Sequence, residues 1–209
     1  MKKRQPAKPR KNQNGFGIVN GKTTTDHKLS LMQIHLETIF ERGVNFKERI
    51  ITITDEIAFP AFDFLDAAMT EMESQSRKTI TVKIHSEGGS VYEAMAIVGR
   101  IKKSKCKVVT EGYGAVMSAA TLILAAGDER RISEFAWFMH HEASYEAGGR
   151  HSDMKDLVAQ MEKEEKIWSE WMARFSEKDA DYWYETGCKK DAYFTAQELI
   201  DLGVADEIF

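Results

Sequence analysis

The sequence predicts an α/β fold with largely parallel strands. Short β-rich segments alternate with stripes of helical period through most of the chain, which is the pattern of repeated strand–helix–strand units. The segment Phe135–Met139 is apolar throughout, as expected of a strand buried on both faces. The 209 residues, 43% hydrophobic and 30% charged, suit one globular domain better than two.

Taken in order, residues 1–28 read as a flexible basic arm, with Pro6, Pro9, Gly15, Gly17 and Gly21 and little apolar periodicity. A single domain is expected over 29–209. Leu29, Met32, Leu36, Ile39 and Phe40 suit a short amphipathic helix that ends near Gly43. Arg49–Thr54 reads as a strand, and Ala61, Leu65, Ala68, Met69 and Met72 form a helical stripe just after Pro60. Thr79–Ile84 alternates as a second strand, and Val91, Ala94, Met95, Val98 and Ile101 mark the next helix. Lys107–Thr110 is a third short strand, and Ser118–Ala126 a helix of small apolar residues. A long stripe from Met154 to Phe175 carries Trp168 and Trp171, and a helix of that length has to bury its stripe inside the fold or against another subunit. Thr195 and Glu198 form a capping box, and Gly203 supplies a stop.

Charge divides the chain. The 29 lysines and arginines face 33 acids, yet six of those bases and no acid lie in residues 1–12, so a basic arm joins an acidic body. No apolar run is long enough for a membrane span, and the N-terminus lacks the apolar core of a secretory signal. Cys106 and Cys188 have no metal-ligand spacing and form no disulfide framework, and no histidine pair has zinc spacing, so no cofactor or metal is expected. These features suit a reducing cytoplasm. The arm has no interleaved aromatics, so no dedicated nucleic-acid surface is read into it.

Two glycine-bearing turns could carry chemistry. His85–Gly89 runs from a strand through Gly88 and Gly89 into a helix, exposing backbone N–H groups that suit an anion or a transient oxyanion. The second begins at Gly112 and resembles a dinucleotide fingerprint, but Met117 stands where the third glycine belongs. What it delivers is Ser118 at the first turn of a small-residue helix, whose dipole favours negative charge and whose Ala119 N–H points to the oxygen of an attacked carbonyl. A nucleophilic serine needs a base. His140 and His141 close a strand and face opposite ways, so one of the two can meet Ser118. The orienting acid is left open among many.

These residues resemble the Clp protease proteolytic subunit family. Residues 114–127 (GAVMSAATLILAAG) resemble its nucleophile segment, and residues 84–89 (IHSEGG) its Ile-Asn-Ser-Pro-Gly-Gly turn. Residues 139–142 (MHHE) match its Met-Ile-His-Gln, which selects His141. Residues 191–206 (DAYFTAQELIDLGVAD) resemble the segment that opens on the triad aspartate, here Asp191. The likeness covers roughly residues 47–209, with His85 and Glu87 departing from the family's asparagine and proline.

The resemblance implies a crotonase-like spiral of ββα units with a protruding handle helix. It implies a serine endopeptidase acting on unfolded polypeptides, with Ser118 as nucleophile, His141 as base, Asp191 as orienting acid and the N–H groups of Gly89 and Ala119 as oxyanion hole. It further implies a homo-oligomer of stacked heptameric rings served by an AAA+ unfoldase ATPase. The alternatives are a non-catalytic ring subunit, an acyl-CoA hydratase/isomerase of the same fold and a serine–lysine peptidase.

Overall fold

The computed structural model describes residues 18–19, 22–23, 32–34, 36–38, 41–188 and 190–209. They fall into two units, divided between Arg42 and Gly43. In the first, β1 (Ile18–Val19) pairs antiparallel with β2 (Lys22–Thr23). Residues 32–34, 36–38 and 41–42 are helical, and Thr38 Oγ1 donates to the carbonyl of Ile34 at 2.9 Å. The basic stretch of residues 1–12, and most of the arm expected over 1–28, lie outside the described residues.

In the second unit, eight strands form one sheet among the described residues. β3 (Val44–Asn45) pairs antiparallel with β4 (Ile50–Ile53), and β4 pairs in parallel with β5 (Ile80–Ser86). Next comes β6 (Val108–Met117), the spine of the fold. One edge of β6 carries β5. On the other, its first half pairs in parallel with β7 (Glu129–Ile132) and its second half with β8 (Trp137–His140). β9 (Ala192–Phe194) runs antiparallel to β8, and β10 (Glu207–Ile208) parallel to β7.

The first three helices bury the stripes legible in the sequence. α1 (Ala61–Gln75) buries Leu65, Ala68, Met69 and Met72, and α2 (Val91–Lys102) buries Ala94, Ile97 and Ile101. α3 (Ala119–Ala125) is buried at every position, as its small apolar residues demand. α4 (His151–Arg174) is the long helix, whose buried residues, Glu164, Ser169 and Met172, all lie in its second half. α5 (Ala180–Gly187) and α6 (Ala196–Asp201) complete the chain, α6 opening on the Thr195–Glu198 capping box. Buried Arg49, at φ 59°, sends its guanidinium to the carbonyls of Met72, Lys78 and Thr79 and so closes the C-terminal end of α1 onto the sheet.

Two expectations change. The third strand does not stop at Thr110 but continues through both glycines to Met117. The glycines serve close packing: a Cβ on Gly112 would lie 2.5 Å from Ile132 Cδ1, and one on Gly114, at φ +49°, 2.8 Å from the His85 ring. The strand near Phe135–Met139 begins later and is not buried on both faces. Phe138 is fully buried while Trp137 is 50% exposed, because β8 alternates in and out of the core.

Candidate active site

The register of β6 and β8 builds the site. Met117 pairs with Met139, and the next residue, Ser118, donates its N–H to the Met139 carbonyl at 2.8 Å. Ser118 is thereby fixed at the N-terminus of α3 with φ 52° and ψ −124°, a left-handed conformation uncommon for a non-glycine residue. Its side chain makes no capping bond to α3. It turns instead to the end of β8, where Ser118 Oγ and His141 Nε2 lie 2.8 Å apart.

Strand alternation sends the two histidines to different places. His140 is buried, donates from Nε2 to the Trp183 carbonyl at 3.0 Å and meets the Trp183 ring edge-on. Burial drives its pKa down to about 4, against the bond to Trp183, with His141 adding to the fall. His141 stays partly exposed, and Asp191 Oδ1 lies 3.7 Å from its Nδ1. Asp191 immediately precedes β9, whose antiparallel register sets Ala192 opposite His140. The structure thus brings Ser118 and His141 into hydrogen-bond distance and leaves Asp191 one step further out.

The glycine turn closes over the serine. Gly88 and Gly89 take φ +107° and +140°. A Cβ on Gly88 would lie 2.6 Å from Ser118 Cβ, so this backbone reaches the serine only because glycine is there. Residues 55–57 clamp the turn: Ile57 N–H donates to Gly88 O, Ser90 N–H to Ile57 O, and Ser86 Oγ to Asp55 O. The N–H of Gly88 is taken by Ser86 Oγ at 3.1 Å. His85 ties this turn to β6, its Nδ1 accepting the N–H of Ala115 at 3.0 Å. Glu87 is exposed and lines an open groove with His85, Gly89 and Ala115.

Beside Ser118 and His141 a cavity opens toward α4, walled by Val91, Tyr145, Trp168 and Trp183 and bearing Glu142, Glu164 and Glu165. Sequence reasoning missed these acids because they lie on a loop and on the polar-looking face of a long helix. Among the described residues no group of three or more His, Cys, Asp and Glu side chains is placed to hold a metal ion. No helix among them is long and apolar enough to cross a membrane.

A serine in a left-handed turn at a helix start, a histidine at hydrogen-bond distance and a glycine turn folded onto the serine are the arrangement expected of a serine hydrolase. A family model described as Clp protease matches residues 35–209. The ATP-dependent Clp protease proteolytic subunit 3 of Nocardia farcinica is 30% identical over 169 residues, covering 78% of this chain and 76% of that protein. Subunit 1 of Corynebacterium jeikeium is 27% identical, covering 83% of this chain and 93% of the relative. Subunit 2 of Rhodococcus jostii is 26% identical, covering 82% and 88%. The chain belongs to the Clp protease family and is a serine peptidase of that kind.

Proposed function

We propose that Ser118, His141 and Asp191 form the catalytic triad and that the N–H groups of Gly89 and Ala119 form the oxyanion hole. The observation that carries this reading is the 2.8 Å approach of Ser118 Oγ to His141 Nε2. Ser118 attacks the scissile carbonyl while its proton passes to His141 Nε2. The carbonyl oxygen takes the negative charge between the two N–H groups. The C–N bond then breaks, His141 returns the proton to the leaving amine, and water repeats the cycle on the acyl-enzyme. Asp191 accepts from Nδ1–H, and its 3.7 Å separation suits a bond that tightens with substrate bound. The Gly89 donor is favoured because its neighbours, Gly88 and Ser90, have their N–H groups committed elsewhere.

The relatives are proteolytic subunits of ATP-dependent proteases, which supports an assembly here. The chain works as a homo-oligomer, with stacked heptameric rings enclosing the sites, α4 as the handle between rings and an AAA+ ATPase delivering unfolded polypeptide in the cytoplasm. The sparse burial of the first half of α4 supports a helix completed by another subunit. Among the described residues no lysine lines the cavity at Ser118, which favours histidine over lysine as the base.

Hydrolysis of fluorogenic peptides by the full chain, sized by light scattering, tests this reading. Turnover that disappears in Ser118→Ala and His141→Ala is expected. Turnover that survives either substitution would remove the triad.

A further inference from the structure

The cavity beside Ser118 combines an apolar wall with carboxylates that, among the described residues, have no lysine or arginine partner. Glu164, on α4, is 7% exposed. Its carboxylate accepts from the Tyr92 hydroxyl at 2.6 Å, from Gln160 Nε2 at 2.7 Å and from the Tyr145 hydroxyl at 3.0 Å. All three donors are neutral, and the Tyr92 bond leads in holding its carboxyl below the usual range, so the charge persists inside the wall. Glu165, the next residue, is half-buried and accepts one N–H, that of Ala143, at 2.8 Å. Burial, with Glu142 adding to it, raises the Glu165 carboxyl above the usual range against the Ala143 bond and the nearby His141, so a cation entering the cavity would favour its charged form. Among the described residues none of the three makes an ion pair, and no lysine or arginine lines the cavity. A buried carboxylate without a counter-cation is uncommon, since charges inside proteins are normally paired.

We propose that this cavity receives the side chain that precedes the scissile bond, and that Glu164 and Glu165 make it select lysine or arginine there. The inference rests on Ser118 being the nucleophile, because the cavity opens at that residue. The long stem of a lysine or arginine packs along Trp168 and Tyr145, and its cationic head reaches the carboxylates in a partly dry site. A leucine or methionine fills the same apolar wall but leaves the two acids desolvated and unmatched. A glutamate is repelled. Selectivity therefore comes as much from what the pocket rejects as from what it binds.

The test is a panel of succinyl-tripeptide aminomethylcoumarins that differ only in the residue before the cleaved bond, assayed on the full chain beside fluorophosphonate labelling. Lysine and arginine substrates are expected to exceed leucine and methionine in kcat/KM by about tenfold or more. Glu165→Gln, and separately Glu164→Gln, is expected to cut that ratio by about tenfold. Labelling of Ser118 together with a preference for leucine or methionine would overturn the pocket assignment while leaving the peptidase reading in place. A ratio unmoved in both glutamine variants would overturn the role of the carboxylates. Absence of labelling and of all hydrolysis would overturn the peptidase reading, and this inference with it.

Discussion

His140 and His141 are neighbours of one residue type, and the fold puts them to opposite uses. His140 points into the core, where Gly187 gives its ring room and a Cβ there would lie 2.9 Å from its Nε2. His141 points outward to Ser118. Residue type alone therefore says little: the inward or outward turn of one position separates an imidazole packed in the core from one beside Ser118. Burial keeps His140 neutral, where an uncompensated charge would be costly, while His141 stays partly exposed.

The largest expected effects break the His141 side of this comparison. His141→Ala is expected to lower kcat by roughly 10⁴–10⁶ with little change in melting temperature. The reverse is expected of His140→Ala, which removes a buried ring and its bond to Trp183. Denaturant unfolding should show a loss of about 2–4 kcal/mol. A drop in kcat without loss of stability in that variant would put the two histidines in the same role.

Gly88→Ala sharpens the comparison from the opposite wall. The added methyl meets Ser118 Cβ and the Met117 carbonyl, so the turn has to withdraw from the serine. The expected loss in kcat is about 10²–10³, that of one misplaced oxyanion donor, measurable by steady-state kinetics.

The smallest effect is one of pH. The folded pKa of His140 lies near 4, below its ordinary 6.5, so between those values the unfolded chain binds the extra proton. Stability contributed by this residue is present above pH 6.5 and is lost as pH falls toward 4, by roughly 3 kcal/mol in full. Glu73 acts in a lower window. Burial works to raise its pKa, but bonds from Arg100, Lys105 and Ser104 outweigh it and hold the value near 2, so its contribution is lost between about 4.5 and 2. Unfolding curves from pH 7 to about 5.5 should therefore flatten in His140→Gln, while Glu73→Gln should leave that upper window nearly unchanged and act mainly between about 4.5 and 2.

The apolar elements were the legible part of the fold. The stripes of α1 and α2 face the core as their spacing predicts, and α3 is buried because nothing in it needs water. The Ser118 segment and the His85–Gly89 turn were legible as candidate chemistry, since a strand leading into glycine or serine before a helix is a local signal, whereas the choice of His141 over His140 came from the family resemblance. Other features depend on contacts distant in sequence. β7 reads Glu-Arg-Arg-Ile and shows no alternation. It is a strand because Arg130 bonds Asp206, and Arg131 pairs with Glu111, Glu129 and Glu207 along the sheet. α5 is not legible in the sequence although Asp179 caps it, because its large buried residue, Trp183, belongs to a pocket completed by His140 and Phe194. The left-handed Ser118 and the acids along α4 likewise emerge only once the strands are in register.

The central claim is that Ser118 is the nucleophile and His141, not His140, its base. Mass spectrometry of the full chain after fluorophosphonate treatment tests it most directly. The predicted result is one adduct, on Ser118, that is absent in His141→Ala and retained in a folded His140→Gln protein. An adduct on another residue, or one on Ser118 that persists without His141, would contradict it.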